Sequence, residues 1–201
     1  FLHCPHLDEE MNMQSLVKFM SLGSALVGGV VLLGLIGLNT LSIIGRGLSK
    51  LGHALVGGDW MPVLGNTLVV CGIDEIKGTY ELTESGVAFV IFSFLSVCQF
   101  YGAHATVDVF TSRLPRSTLA WVRAFWEIIL SITILFITLR LYDGMQRYLG
   151  NGETTLFLQF PVWWSYGACV IAASIASITA VYCASARIIE ASTGNSILPE
   201  G

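Results

Sequence analysis

His104 and Asp108 stand four residues apart in Gly102-Ala103-His104-Ala105-Thr106-Val107-Asp108. On a helix both would share one face, where an imidazole and a carboxylate could contribute to a metal site. A metal needs three or four suitable ligands, and no further ones cluster nearby in the sequence. The pair therefore reads better as a polar cap at a helix end. Glu81 and Glu84 form a second constellation. Carboxylates within a membrane often mark an ion path, but these two open an apolar segment, where a helix dipole favours negative charge. Their expected role is structural or partner contact. Ser, His and Asp all occur without a spacing that joins them, and there is no P-loop, GxGxxG or HExxH. Cys4, Cys71, Cys98, Cys169 and Cys183 show neither CxxC nor His-flanked spacing, so they read as packing residues. No catalytic, cofactor-binding or metal-ligating set is expected, and the protein is not expected to be an enzyme.

The elements that would position these residues are apolar. Of 201 residues 54% are hydrophobic and only 12% charged, about half the charge of a soluble domain. Phe19 to Gly45 is uncharged between Lys18 and Arg46, as are Ser85 to Ala103 and Thr154 to Ala186; Ala124 to Leu139 is interrupted only by Glu127. About 20 apolar residues cross a hydrocarbon core as a helix, and lipid forces the backbone to satisfy itself. The expected fold is an all-α membrane protein with four transmembrane helices, at about 19–45, 80–103, 119–142 and 161–186. These make a single domain over 19–187, between an N-terminal segment (1–18) and a C-terminal tail (188–201). The acidic flank His3 to Glu10 is unlike a secretory signal, and the apolar run after it is too long for one, so the first span is expected to be retained. The net charge of −4 leaves no basic footprint for nucleic acid.

The first connection, 47–77, has Leu48, Leu51 and Leu55 at helical spacing beside Lys50 and His53, then the uncharged stretch Trp60 to Ile73. Short interfacial or amphipathic helices are expected there. Arg123 and Glu127 are i,i+4 partners, and Arg140, Asp143 and Arg147 form a similar ladder. Pro161 suits a helix start, followed by an aromatic belt of Trp163, Trp164 and Tyr166. Ala168, Ala172, Ala176, Ala180 and Ala184 repeat every fourth residue, a smooth stripe for helix contact. Basic residues divide five and five between the two sides. Three arginines in the tight second loop (Arg113, Arg116, Arg123) favour cytoplasmic N- and C-termini.

Several segments together resemble a family. Arg46 ends the first helix, and Gly78-Thr79-Tyr80-Glu81-Leu82 opens the second. Tyr101 to Asp108 closes it, with Leu114-Pro115 in the loop. Gly152-Glu153-Thr154-Thr155-Leu156 and Leu158-Gln159-Phe160-Pro161-Val162-Trp163-Trp164-Ser165-Tyr166 follow. This series is similar to the small membrane subunit of tripartite ATP-independent periplasmic (TRAP) transporters, the DctQ-like family. The resemblance runs from Gly78 to about Arg187. It implies a four-helix protein of the bacterial inner membrane, bound to a large multi-span subunit that carries the substrate and sodium sites. A periplasmic substrate-binding protein delivers organic acids to that assembly and would be an indirect partner. The resemblance makes Arg46, Glu81, His104, Asp108, Glu153, Pro161 and Trp163 candidates for partner contact, with no cofactor. The expected function is a non-catalytic scaffold for the large subunit. The alternative is a structural accessory subunit, derived from this family, of another bacterial membrane complex such as a respiratory or photosynthetic one. The first connection is longer than the family's usual loop, and Gln99-Phe100-Tyr101 replaces a basic residue common before the GxH.

Overall fold

The apolar runs fold as helices because each residue must find its backbone partners within its own segment once water is excluded. The computed structural model describes the backbone of residues 5–57, 78–102 and 116–193, and side chains within 13–51, 53–54, 78–102 and 118–193. Four helices account for nearly all of this: α1 (Pro5–Gly57), α2 (Thr79–Phe100), α3 (Arg116–Asn151) and α4 (Val162–Thr193). All four are long and apolar enough to span a membrane. No β-strand occurs among the described residues; one isolated bridge joins Thr154 to Pro161.

Three helices, α1, α3 and α4, outrun the membrane spans read from the sequence. A first charge marks the end of the hydrocarbon, not the end of the hydrogen-bonded ladder. Thus α1 continues through Arg46 and Lys50 to Gly57 as one 53-residue helix, about 80 Å at 1.5 Å per residue. The segment around Leu48 and Leu51 is a continuation of α1 rather than a separate interfacial helix; residues 58–77 lie outside the described residues. Likewise α3 has 36 residues, passing Arg140 and Asp143 without a break.

The packing order differs from the chain order. α1 lies on α2, α2 on α4, and α4 on α3; α1 also touches α4, whereas α1 and α3 make at most a marginal contact among the described residues. α4 is therefore the central helix, and its buried face is Cys169, Ala172, Ala173, Ala176, Ser177, Thr179, Ala180, Cys183, Ala184 and Ala186. Its small side chains let neighbouring backbones come close, which drives association where lipid is as apolar as the helices. Ile134 and Leu95 close over Ala176 and Ala180. Near the other end Val17, Phe100, Cys183 and Ala186 cluster.

Polar seams set the register. Between α1 and α2, the Ser24 hydroxyl donates to the Ser93 carbonyl at 3.3 Å. The Asn39 amide donates to Thr83 Oγ1 at 2.9 Å. Ser165 donates to Ser85 across α4 and α2 at 2.9 Å. Thr138 and Ser177 share a 2.8 Å bond between α3 and α4. The remaining faces carry large exposed apolar residues such as Leu26, Val30, Leu33, Phe125, Ile132, Ile171 and Ile178, as a lipid-facing or partner-facing surface requires.

Candidate functional site

The antiparallel course of α1 and α2, and of α3 and α4, carries most of the sequence candidates to one end of the bundle. There, α2 begins at Gly78, whose φ of 89° is in the left-handed region and suits glycine. A Cβ at this position would also lie 2.6 Å from Leu158 Cγ, so Leu158 closes directly over the start of α2. Three residues on, the Glu81 carboxylate accepts hydrogen bonds from the backbone N–H groups of Phe157 at 2.9 Å and Leu158 at 3.1 Å. Two residues nearly eighty positions apart in the chain are thereby clasped.

The clasped loop is a small hairpin. Thr155 N–H donates to the Phe160 carbonyl, and Val162 N–H to the Glu153 carbonyl, each at 3.0 Å. Gly152 and Gln159 take positive φ at its corners. Pro161 supplies a carbonyl to the Trp164 N–H at 3.1 Å as α4 starts. Trp163 and Trp164 meet edge to face at 6.0 Å. The tip is apolar: Leu156 is 88% exposed and Phe157 65%. Beside it, a pocket of about 310 Å³ opens between α1 and α2, lined by Asn39, Ser42, Ile43, Arg46 and the first turn of α2.

Arg46, Glu81, Glu153, Pro161 and Trp163 thus share one end of the molecule. Glu84 is exposed one turn further along α2. His104 and Asp108 lie outside the described residues. Of the alanine stripe, Ala172, Ala176, Ala180 and Ala184 are buried, and Ala168 is half-buried. Cys98, Cys169 and Cys183 are free thiols.

The opposite end holds a group that local spacing did not expose. Glu127, expected to pair with Arg123, lies within the electrostatic reach of Arg187 on α4, near Gln99 of α2. Arg187 also pairs with Glu190 at 2.8 Å, with side chains only 14% and 11% exposed. Gly102 at the end of α2 lies beside the same guanidinium. The signal was present in the sequence as a lone arginine closing the longest apolar run, but the residues around it, Glu127 and Gly102, come from distant parts of the chain. By contrast, Arg140 and Asp143 form a loose surface pair at 3.9 Å.

No group of three metal-ligating side chains occurs among the described residues. The arrangement at the clasp can hold a loop, present an apolar tip and offer cationic and hydroxyl donors. No curated protein and no solved structure matches the chain. The family model for the DctQ component of tripartite ATP-independent periplasmic transporters matches residues 72–191, well over half of the chain and the whole of α2, α3 and most of α4. Its match takes in both halves of the clasp, Glu81 and the hairpin that Glu81 holds, and the chain therefore belongs to the family of tripartite ATP-independent periplasmic transporters, DctQ component.

Proposed function

We propose that this chain is the non-catalytic small subunit that scaffolds the large, multi-span transport subunit during organic-acid uptake. The observation that carries the reading is the engagement of Glu81. A carboxylate at the head of a membrane span is an obvious candidate for an ion path, yet here both its oxygens hold the backbone of the Phe157–Leu158 turn. The residue acts as a fastener between helices. The wide apolar faces of α1 and α3, which make at most a marginal contact with each other, support the same reading because each is open to a neighbour or to lipid. In this reading residues 19–187 form one transmembrane unit in the bacterial inner membrane, with both termini cytoplasmic. A periplasmic binding protein would serve the assembly through the large subunit.

A second reading draws on α1. The family match leaves residues 1–71 outside it, and α1 extends about eleven residues beyond Arg46, roughly 16 Å. A structural accessory subunit of another membrane complex, respiratory or photosynthetic, would use that extension for contacts of its own. Purification from native membranes with identification of co-eluting subunits separates the two. Co-elution with a large permease, whose reconstituted transport of an organic acid requires this chain, supports the first. Co-elution with a respiratory or photosynthetic complex supports the second, and transport by this chain alone would overturn both.

A further inference from the structure

We propose that the pocket between α1 and α2 binds a phosphate oxyanion, supplied as the headgroup of a membrane phospholipid. Arg46 is the first charge after 27 uncharged residues of α1, which sets it at the membrane–water boundary where headgroups lie. Ser42, one turn earlier, lines the same pocket. Its residue is 1% exposed and its hydroxyl has no hydrogen-bond partner in the protein. Such an orphaned donor is costly and asks for an acceptor from outside the chain.

The third contribution is the start of α2. Its N-cap, Gly78, makes no side-chain cap hydrogen bond, and the first-turn amides of any helix point outward and favour an anion. The first-turn acid, Glu81, is no competitor because its oxygens are held on the α4 side by Phe157 and Leu158. Tyr80, 77% exposed, borders the opening with its phenol. A guanidinium binds phosphate through two parallel hydrogen bonds, and the hydroxyl donors fit the remaining oxygens. Ile43, 65% exposed on the pocket wall, continues the surface toward the bilayer, as an acyl chain requires. A soluble phosphate would satisfy the donors but leave that apolar wall unused. The inference is independent of the transporter reading, since it needs only the membrane and this chain.

The test uses the full chain with whatever subunits accompany it, purified in mild detergent. Native mass spectrometry counts retained phospholipids. After delipidation, thermal stability is titrated with phosphatidylglycerol, with phosphatidylethanolamine and with inorganic phosphate. Wild type should retain a phospholipid and be stabilised by lipid at concentrations where phosphate has no effect. Arg46→Gln should weaken the lipid titration about tenfold or more, as loss of a charge-assisted contact does. Ser42→Ala should weaken it less, and Arg46→Lys should fall between wild type and Arg46→Gln. Equal stabilisation by inorganic phosphate, lost in Arg46→Gln, would keep the oxyanion site and overturn the lipid as its source. No response to either ligand, or an undiminished lipid response in folded Arg46→Gln, overturns the site. Should Arg46→Gln not fold, Arg46→Lys and Tyr80→Phe carry the same comparison.

Discussion

The α1–α2 contact is close at Gly28, and replacing that residue gives a sharp test of the packing. A Cβ built on Gly28 would stand 2.7 Å from Ser93 Cβ and 3.3 Å from Ser93 Oγ. Carbon atoms pack at about 3.5–4.0 Å, so α1 and α2 would have to part by about 1 Å. Ser93 Cβ is fixed to its helix and cannot rotate away, unlike the tip of a long side chain. A shift of that size would also stretch the Ser24–Ser93 bond from 3.3 Å and the Ser96–Ser21 bond from 3.5 Å beyond useful range. Overpacking of this kind costs about 1–3 kcal/mol, and interhelical hydrogen bonds in membranes add about 0.6 kcal/mol each. Gly28→Ala should therefore lower the apparent Tm in detergent by several degrees. Gly23→Ala, whose Cβ would meet nothing within 4 Å, should be neutral or slightly stabilising because alanine is the better helix former. Adding Ser93→Gly to Gly28→Ala should recover most of the loss, since it removes the atom that clashes. Equal stability of Gly28→Ala and wild type, or an equal fall in Gly23→Ala, would refute the close approach.

Ala176 is completely buried beneath Ile134 and Leu95, so Ala176→Leu should cost about 1–3 kcal/mol in a denaturation assay, or release a partner subunit. Arg187→Gln breaks the ion pair with Glu190, whose two side chains are only 14% and 11% exposed; it should destabilise by about 3–5 kcal/mol. Arg140→Gln, at a pair more than half exposed, should cost about 0–1 kcal/mol; equal effects at the two arginines would contradict the burial described for Arg187. Glu81→Gln should accelerate hydrogen exchange at the Phe157 and Leu158 amides while leaving exchange in mid-α4 unchanged. Transport by an assembled complex should survive this change together with Glu84→Gln, and lost ion coupling in that complex would make the carboxylates part of an ion path.

By itself the sequence determined the class of the protein, the number of its spans and the family it resembles. These are local properties: whether a run of side chains can lie in hydrocarbon depends on its length and on the charges that bound it. Gly78, Glu81, Glu153, Pro161 and Trp163 stood out for the same reason, as types in a fixed order along short segments. What joins them was decided only in three dimensions. Glu81 finds its partners 76 and 77 residues later, and Glu127 comes under the influence of Arg187 on another helix, 60 positions along the chain. The continuation of α1 through Arg46 to Gly57 was equally hidden, because a charge ends the membrane without ending a helix. Nor does a stripe of alanines say which of several similar apolar helices it meets. That choice comes from shape: small residues on α4 admit α2 and α3 at once, which puts the last helix at the centre and leaves α1 and α3 with at most a marginal contact. Apolar pattern selects the solvent for each helix, while steric fit and a few buried polar bonds select its neighbours.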